Sequence, residues 1–257
     1  MGEVIAANTE LSIVDECDDW LVVNKPAPLI IHPTSKKVEP SLLGELNRLL
    51  DRRGEVSGTL SIINRLDRET SGLVLVARTP QAARAFGKAM MRREIEKRYL
   101  AIVRGWPDWE EQLVDAPIAH RSEREFSRVW VMQMVHPEGK PCRTRLDVQR
   151  RFERDGEKFA LLGVQTETGR MHQIRVHCAH VGHPLVGDKI YGGDESCYLK
   201  FIGNGWTAEL QEKLLLPRQA LHACFLAASV DEAPREWSCP LPSDLAGFLV
   251  GGSDGNL

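Results

Sequence analysis

The chain of 257 residues has only three tyrosines, and no two of its six cysteines form a C-x-x-C pair. Cys17, Cys142, Cys178, Cys197, Cys224 and Cys239 are scattered instead. Scattered in a chain of this size, they read as reduced, buried, small apolar groups in a cytosolic protein, and no C-x-x-C offers a paired zinc site. A basic leader is missing too: the first twenty residues hold six acids and no Lys or Arg, unlike the start of a signal peptide. The longest apolar run, around Ala223 to Val230, is far too short to span a bilayer. There is no internal repeat, and the 21 glycines and 14 prolines are dispersed, which excludes a collagen-like or linker-dominated chain. Nor is there a strong positive excess, the formal net charge being -3. These absences lead to the expectation of a soluble, cytoplasmic protein with no membrane contact.

What is present suits a globular protein. Hydrophobic residues make up 42% and charged residues 27%, enough apolar surface for a core. Charge is unevenly laid out. Residues 1–20 carry -6, residues 84–104 carry +5 and residues 118–154 carry +4. One positive face on a near-neutral protein can follow from this, as can a set of solvated edges.

Short strands are expected at Leu11–Val14 and Trp20–Val23. Leu42, Leu43, Leu46, Leu49 and Leu50 predict a helix capped by Ser41. The run 72–77 (GLVLVA) suits a strand covered on both faces. Thr79-Pro80 opens a helix that ends near Arg93. Residues 97–104 (KRYLAIVR) alternate as a strand, with Tyr99, Ala101 and Val103 on one face. Residues 106–140 read as a long irregular connection, functional or mobile. Asp155-Gly156 is a hairpin turn joining strands at Arg143–Phe152 and Lys158–Thr166. Met171–Val181 predicts a helix, an apolar strand follows Ala220, and a short helix begins at Ser243. Without regular βαβ alternation the class is α+β, with a largely antiparallel sheet. The expectation is a single domain over 1–257, its core at about 11–245, and a frayed tail at 251–257.

Two segments carry chemistry. In Asn64-Arg65-Leu66-Asp67-Arg68-Glu69-Thr70-Ser71-Gly72 a carboxylate lies between two guanidinium groups. Neighbouring cations hold an Asp ionised, which suits a nucleophile and not a general acid. A surface Asp–Arg turn has the same sequence. In Gly169-Arg170-Met171-His172-Gln173-Ile174-Arg175-Val176-His177 donors are dense, suiting an anionic ligand or a buried carboxylate. His172, His177, Cys178, His180 and His183 also invite a metal reading, but their spacing fits no H-E-x-x-H site. Hydrogen-bonded histidines at a helix end are the simpler reading, and no metal is expected.

Taken in order, RLDRETSG, KRYLAIVRG, GRMHQIRVH and GHPLVGDKIYG resemble the RluA-type RNA pseudouridine synthases. Val23-Asn24-Lys25-Pro26, His32-Pro33 and Arg218-Gln219-Ala220-Leu221-His222-Ala223 support the match, which runs from about residue 11 to about residue 245. The resemblance implies a pseudouridine synthase catalytic fold: a mixed, mostly antiparallel sheet with flanking helices and a central cleft. It implies isomerisation of uridine within transfer or ribosomal RNA, with no metal or organic cofactor. By it Asp67 is the catalytic aspartate, Tyr99 the active-site tyrosine and Arg175 the arginine that pairs with the aspartate. Arg65 matches the residue that fills the space a flipped base leaves. Two positions depart from the family's pattern: Asn64 stands where His is usual, and Met171 where Thr or Ser is common.

RNA contacts are expected from Arg68, Arg92, Arg93, Lys97 and Arg98, from Arg121, Arg124 and Arg128, and from Arg170 and His172. Residues 107–140 are expected to form a flap closing on an RNA stem-loop. Trp106, Trp109, Phe126 and Trp130 either stack on splayed bases there or seal a satellite core. A monomer is expected. Two other classes share parts of this pattern: a non-catalytic RNA-binding protein on the same scaffold, and a metal-dependent hydrolase built on 172–183.

Overall fold

The computed structural model describes residues 11–32, 40–55, 59–230, 233–251 and 253–254. Pro33, residues 1–10 of the acidic front and most of the 251–257 tail lie outside the described residues. In chain order the elements are β1 (Ser12–Glu16), β2 (Trp20–Lys25), α1 (Leu42–Arg52), β3 (Ser61–Ile62), β4 (Ser71–Ala77), α2 (Pro80–Arg92) and β5 (Glu96–Arg104). There follow β6 (Glu111–Asp115), β7 (Ile118–His120), β8 (Gln133–Val135), β9 (Arg143–Arg154), β10 (Glu157–Thr166) and α3 (Gln173–His180). The chain continues with α4 (Glu195–Asn204), α5 (Ala208–Leu214), β11 (Leu221–Val230), β12 (Ala233–Ser238), α6 (Ser243–Val250) and β13 (Ser253–Asp254). The α+β class holds.

The chain forms two compact units. The first comprises Ala7–Lys97 and His222–Pro240. Its strands lie in the order β1-β2-β4-β11, with β3 beside β4 and β12 beside β11. All pairings are antiparallel except β4 with β11. Every residue of β4 is buried, as its unbroken apolar run predicts. Ser41 and Thr79 cap α1 and α2 through their side chains, accepting from the amides of Gly44 and Ala82, and so satisfy helix-end donors. Phe86 of α2 packs with Trp20, Leu73, Leu75, Leu226 and Trp237. Gly72 stands at φ +117, and a β-carbon there would lie 2.2 Å from the carbonyl oxygen of Ala223. Only glycine lets β4 and β11 approach so closely after the Asp67 loop.

The second unit comprises Arg98–Leu221 and Leu241–Leu257. Its strands run β5-β10-β9-β13, with β6 also on β9, all antiparallel. Asp155 and Gly156, at φ 52 and 77, turn β9 into β10, since both positions of such a turn need the left-handed region. Phe152, Phe159 and Phe248 form an aromatic triangle with centroids 5.2 to 6.3 Å apart, packed with Ile102, Val186 and Leu245.

The irregular reading of 106–140 is corrected. That stretch contains β6 and a separate two-stranded β7–β8 hairpin. Strands of three residues, joined by a charged connection, show no alternation to read. The segment after β11 also holds a strand, β12. In the tail, Ser253 and Asp254 pair with Glu153 and Phe152 of β9.

Candidate active site

Asp67 lies in the first unit, half-buried on the loop between β3 and β4. Its carbonyl accepts from the amide of Thr70 at 3.1 Å, closing a β-turn. Three anchors hold this turn. Asn64, 5% exposed, donates to the carbonyl of Leu73 at 3.1 Å and accepts from the amide of Leu75 at 2.8 Å, so its amide group prolongs the β3 pairing onto β4. Arg68 offers its carbonyl to the Leu29 amide at 2.9 Å and to the Lys25 ammonium at 3.3 Å. That fully buried ammonium also donates to the carbonyls of Pro26 at 3.0 Å and Leu29 at 2.9 Å. Beyond the turn, buried Ser71 bonds His222 at 2.9 Å, and His222 bonds Cys239 at 3.2 Å. Burial pushes the Cys239 thiol up to about 12, so it is an inert spacer.

The departure at Asn64 thus has a structural use: both ends of its amide serve the strand that presents Asp67. Lys25 was visible in the motif VNKP, but nothing in sequence marks it as the clamp of a turn forty-three residues away.

Tyr99 and Arg175 belong to the second unit. Tyr99 is 9% exposed on β5, paired with Val164 of β10. Arg175 is 5% exposed on α3. It grips Asp188 in bidentate fashion, Nε to Oδ2 at 2.6 Å and Nη2 to Oδ1 at 2.8 Å. Asp188 also accepts from the amides of Ile190 at 2.9 Å and Tyr191 at 3.1 Å. Burial works against its charge, yet the Arg175 guanidinium and these donors hold its carboxyl below the usual range. Within GHPLVGDKIYG nothing in the sequence marks a role for Asp188; in the structure it is the partner of Arg175. Tyr191 adds its ring face, 5.1 Å below the Arg175 guanidinium.

The histidines serve the fold. His177 is fully buried, with Nε2 2.9 Å from the Ala116 carbonyl and Nδ1 2.8 Å from the Thr144 hydroxyl. A carbonyl can only accept, so Nε2 carries a proton. Burial, its largest influence, lowers its pKa. Gln173 donates to the Arg143 carbonyl and Thr144 hydroxyl, and accepts from Thr168 and the Arg170 amide. His183 bonds the Arg104 carbonyl at 2.9 Å. His172, at φ 55, bonds the Tyr191 hydroxyl at 2.9 Å. Met171 is 41% exposed.

The arginines sort by environment. In the first unit Arg65, Arg68, Arg92 and Arg93 are exposed, and burial lowers the pKa of half-buried Lys97. In the second, Arg98 is exposed, as is Arg170, whose Nε donates to the Pro141 carbonyl. Arg121 is ion-paired with Glu125 and Glu195, and Arg124 with Glu138. Arg128 is exposed and makes no ion pair among the described residues. Of the four aromatics, two are packed and two are exposed. Trp106 donates to the Phe152 carbonyl and Trp109 packs edge-on against His183. Phe126 and Trp130 are 85% and 74% exposed in the β7–β8 connection. No described helix is long and apolar enough to cross a membrane.

A family model described as RNA pseudouridylate synthase matches residues 19–180. Ribosomal large subunit pseudouridine synthase D of Pasteurella multocida is 36% identical over 241 residues, covering 92% of this chain and 69% of the relative. The protein of the same name from Escherichia coli is 34% identical, covering 96% and 76%. The human protein RNA Pseudouridylate Synthase Domain Containing 1 superposes with a TM-score of 0.73 at 25% identity, over 97% of this chain and 90% of that one. Human RNA Pseudouridylate Synthase Domain Containing 4 gives 0.71 at 22%, over 93% and 92%, which bears on the fold alone. On the family match, and on relatives alike over nearly its whole length, the chain belongs to the RluA-type RNA pseudouridine synthases.

Proposed function

We propose that this RNA pseudouridine synthase acts on uridine in large-subunit ribosomal RNA, with Asp67 as nucleophile, Tyr99 and Arg175 as its partners, and the two units working as one catalytic domain in a monomer. The observation that carries the role of Asp67 is the anchoring of its turn by Asn64, Lys25 and Leu29. A nucleophile performs best on a backbone that does not have to reorganise. The ribosomal substrate is suggested by the names of the relatives.

The reaction breaks the bond from ribose C1′ to uracil N1 and forms one from C1′ to C5. The proton on C5 leaves and N1 gains one, so the base is isomerised with no net change in atoms. The target base must first leave its stack, at a cost of a few kcal/mol, which exposed Arg65 offsets by stacking in the vacated space. Asp67 attacks the sugar or the ring, or stabilises an oxocarbenium-like ribose as glycosidase carboxylates do. Arg175 keeps that carboxylate charged. Tyr99 takes or relays the C5 proton, or stacks on the detached uracil.

RNA is held by exposed arginines, which contact phosphate without regard to sequence. Exposed Phe126 and Trp130 give splayed bases a stacking platform. The test is to map pseudouridine across total RNA from cells with and without the gene. Loss of one or a few pseudouridines in large-subunit ribosomal RNA is expected. Loss confined to transfer RNA moves the substrate assignment to that class, and an unchanged map overturns it.

A further inference from the structure

We infer that Tyr191 is a positioning residue that couples the β7–β8 hairpin to the guanidinium of Arg175; this rests on the reading of that hairpin as an RNA contact. Four interactions converge on this one side chain and its amide. The phenol oxygen accepts from the Gln133 amide at the start of β8, at 2.8 Å. The same oxygen lies 2.9 Å from Nδ1 of His172. A phenol oxygen can both accept and donate, so this one hydroxyl bonds the Gln133 amide and Nδ1 of His172 together. The ring face of Tyr191 supports the Arg175 guanidinium at 5.1 Å. Its backbone amide donates at 3.1 Å to Oδ1 of Asp188, the oxygen that also receives Nη2 of Arg175.

Tyr191 therefore reaches Arg175 by two routes, the ring face and the shared carboxylate. It reaches the hairpin through its hydroxyl. Gln133 lies three residues after exposed Trp130 and is itself 8% exposed, so the hydroxyl bond is sheltered from water. His172 stands in the left-handed region at φ 55, immediately before α3, so its ring contact sets how the helix bearing Arg175 begins. A base stacked on Trp130 pulls on β8, and the hydroxyl passes that load to the Tyr191 ring and to the start of α3. Arg175 then takes its working position when RNA is seated on the hairpin tip.

The experiment uses the full chain, a ribosomal RNA fragment that it modifies, and single-turnover kinetics at saturating enzyme. Tyr191→Phe keeps the ring and the backbone and removes only the hydroxyl. It is expected to slow the saturated rate about tenfold, as a small misplacement of a distant group does, with RNA Kd changed less than about twofold. Unchanged Kd also certifies a folded protein. Trp130→Ala is expected to weaken RNA binding and slow the saturated rate in the wild type, but not to slow it further in Tyr191→Phe. A full rate for Tyr191→Phe, or independent rate losses that multiply in the double variant, overturns the coupling. Trp130→Ala with unaltered Kd overturns instead the reading of the hairpin as an RNA contact, and so the two failures are told apart.

Discussion

At the scale of single residues, the polar groups around Asp67 and Arg175 are satisfied in ways that predict how substitutions behave. Asn64→Ala strips a partner from the Leu75 amide and from the Leu73 carbonyl, both buried. Each orphaned group costs about 1–3 kcal/mol, so urea unfolding is expected to show a loss of about 2 kcal/mol or more. A loss near zero would mean that the amide does not hold the loop. Acid stability follows from Asp188 and His177. The folded carboxyl of Asp188 titrates below its unfolded value, so the unfolded chain binds more protons in acid. The stability it contributes is complete above about pH 4 and is lost as pH falls through the lower folded value. His177 is held neutral by burial, so its contribution erodes once pH drops below about 6.5, where the unfolded imidazole takes a proton. Unfolding free energies measured against pH should therefore decline in two stages, with the lower stage smaller in Asp188→Asn, where Asp244, also held below the usual range, still contributes. Asp67 and Arg175 could be singled out from sequence because they sit in dense local motifs. Asp188 and Tyr191 could not: their partners Arg175 and Gln133 are brought into bonding distance by the tertiary fold from thirteen and fifty-eight positions away.

At the scale of elements, local signals were reliable wherever one residue type had one conformational use. Ser41 and Thr79 cap the helices that their spacing announces, and Asp155-Gly156 turns the hairpin. A β-carbon at Gly156 would meet nothing within 4 Å, so Gly156→Ala isolates the left-handed backbone itself. About 1 kcal/mol of destabilisation is expected, read as a lower denaturation midpoint with an unchanged slope. The β7–β8 hairpin gave no such signal, because three-residue strands carry no period. Helices α4 and α5 escaped notice despite usable caps at Asp194 and Thr207, because their apolar faces are short and cover only a small cluster about Cys197, Leu210 and Leu214. The hairpin tip makes its own prediction. Phe126 and Trp130 are mostly in water, so replacing both with Ser should leave the melting temperature within about 2 °C, as surface changes do. RNA affinity should fall at least about tenfold, given about 1–3 kcal/mol per stacked base. A large drop in melting temperature would instead make these rings part of the core.

At the scale of the whole molecule, a net charge of -3 conceals the local positive stretches that an RNA enzyme needs. In the proposed function it is the exposed arginines near Asp67 and on the hairpin, not the total, that bear on binding. The family match extends over both units, since residues 19–180 take in the Asp67 turn, Tyr99 and Arg175. The account depends most on the carboxylate at position 67. Its most direct test is conversion of uridine in a large-subunit ribosomal RNA transcript by purified wild type and by Asp67→Asn, read by pseudouridine mapping at nucleotide resolution. The wild type should convert one or a few uridines, and the variant, with an unchanged melting temperature and RNA Kd, should be slower by at least about three orders of magnitude, as for a lost nucleophile. Conversion by the variant at a rate near that of the wild type would contradict the account.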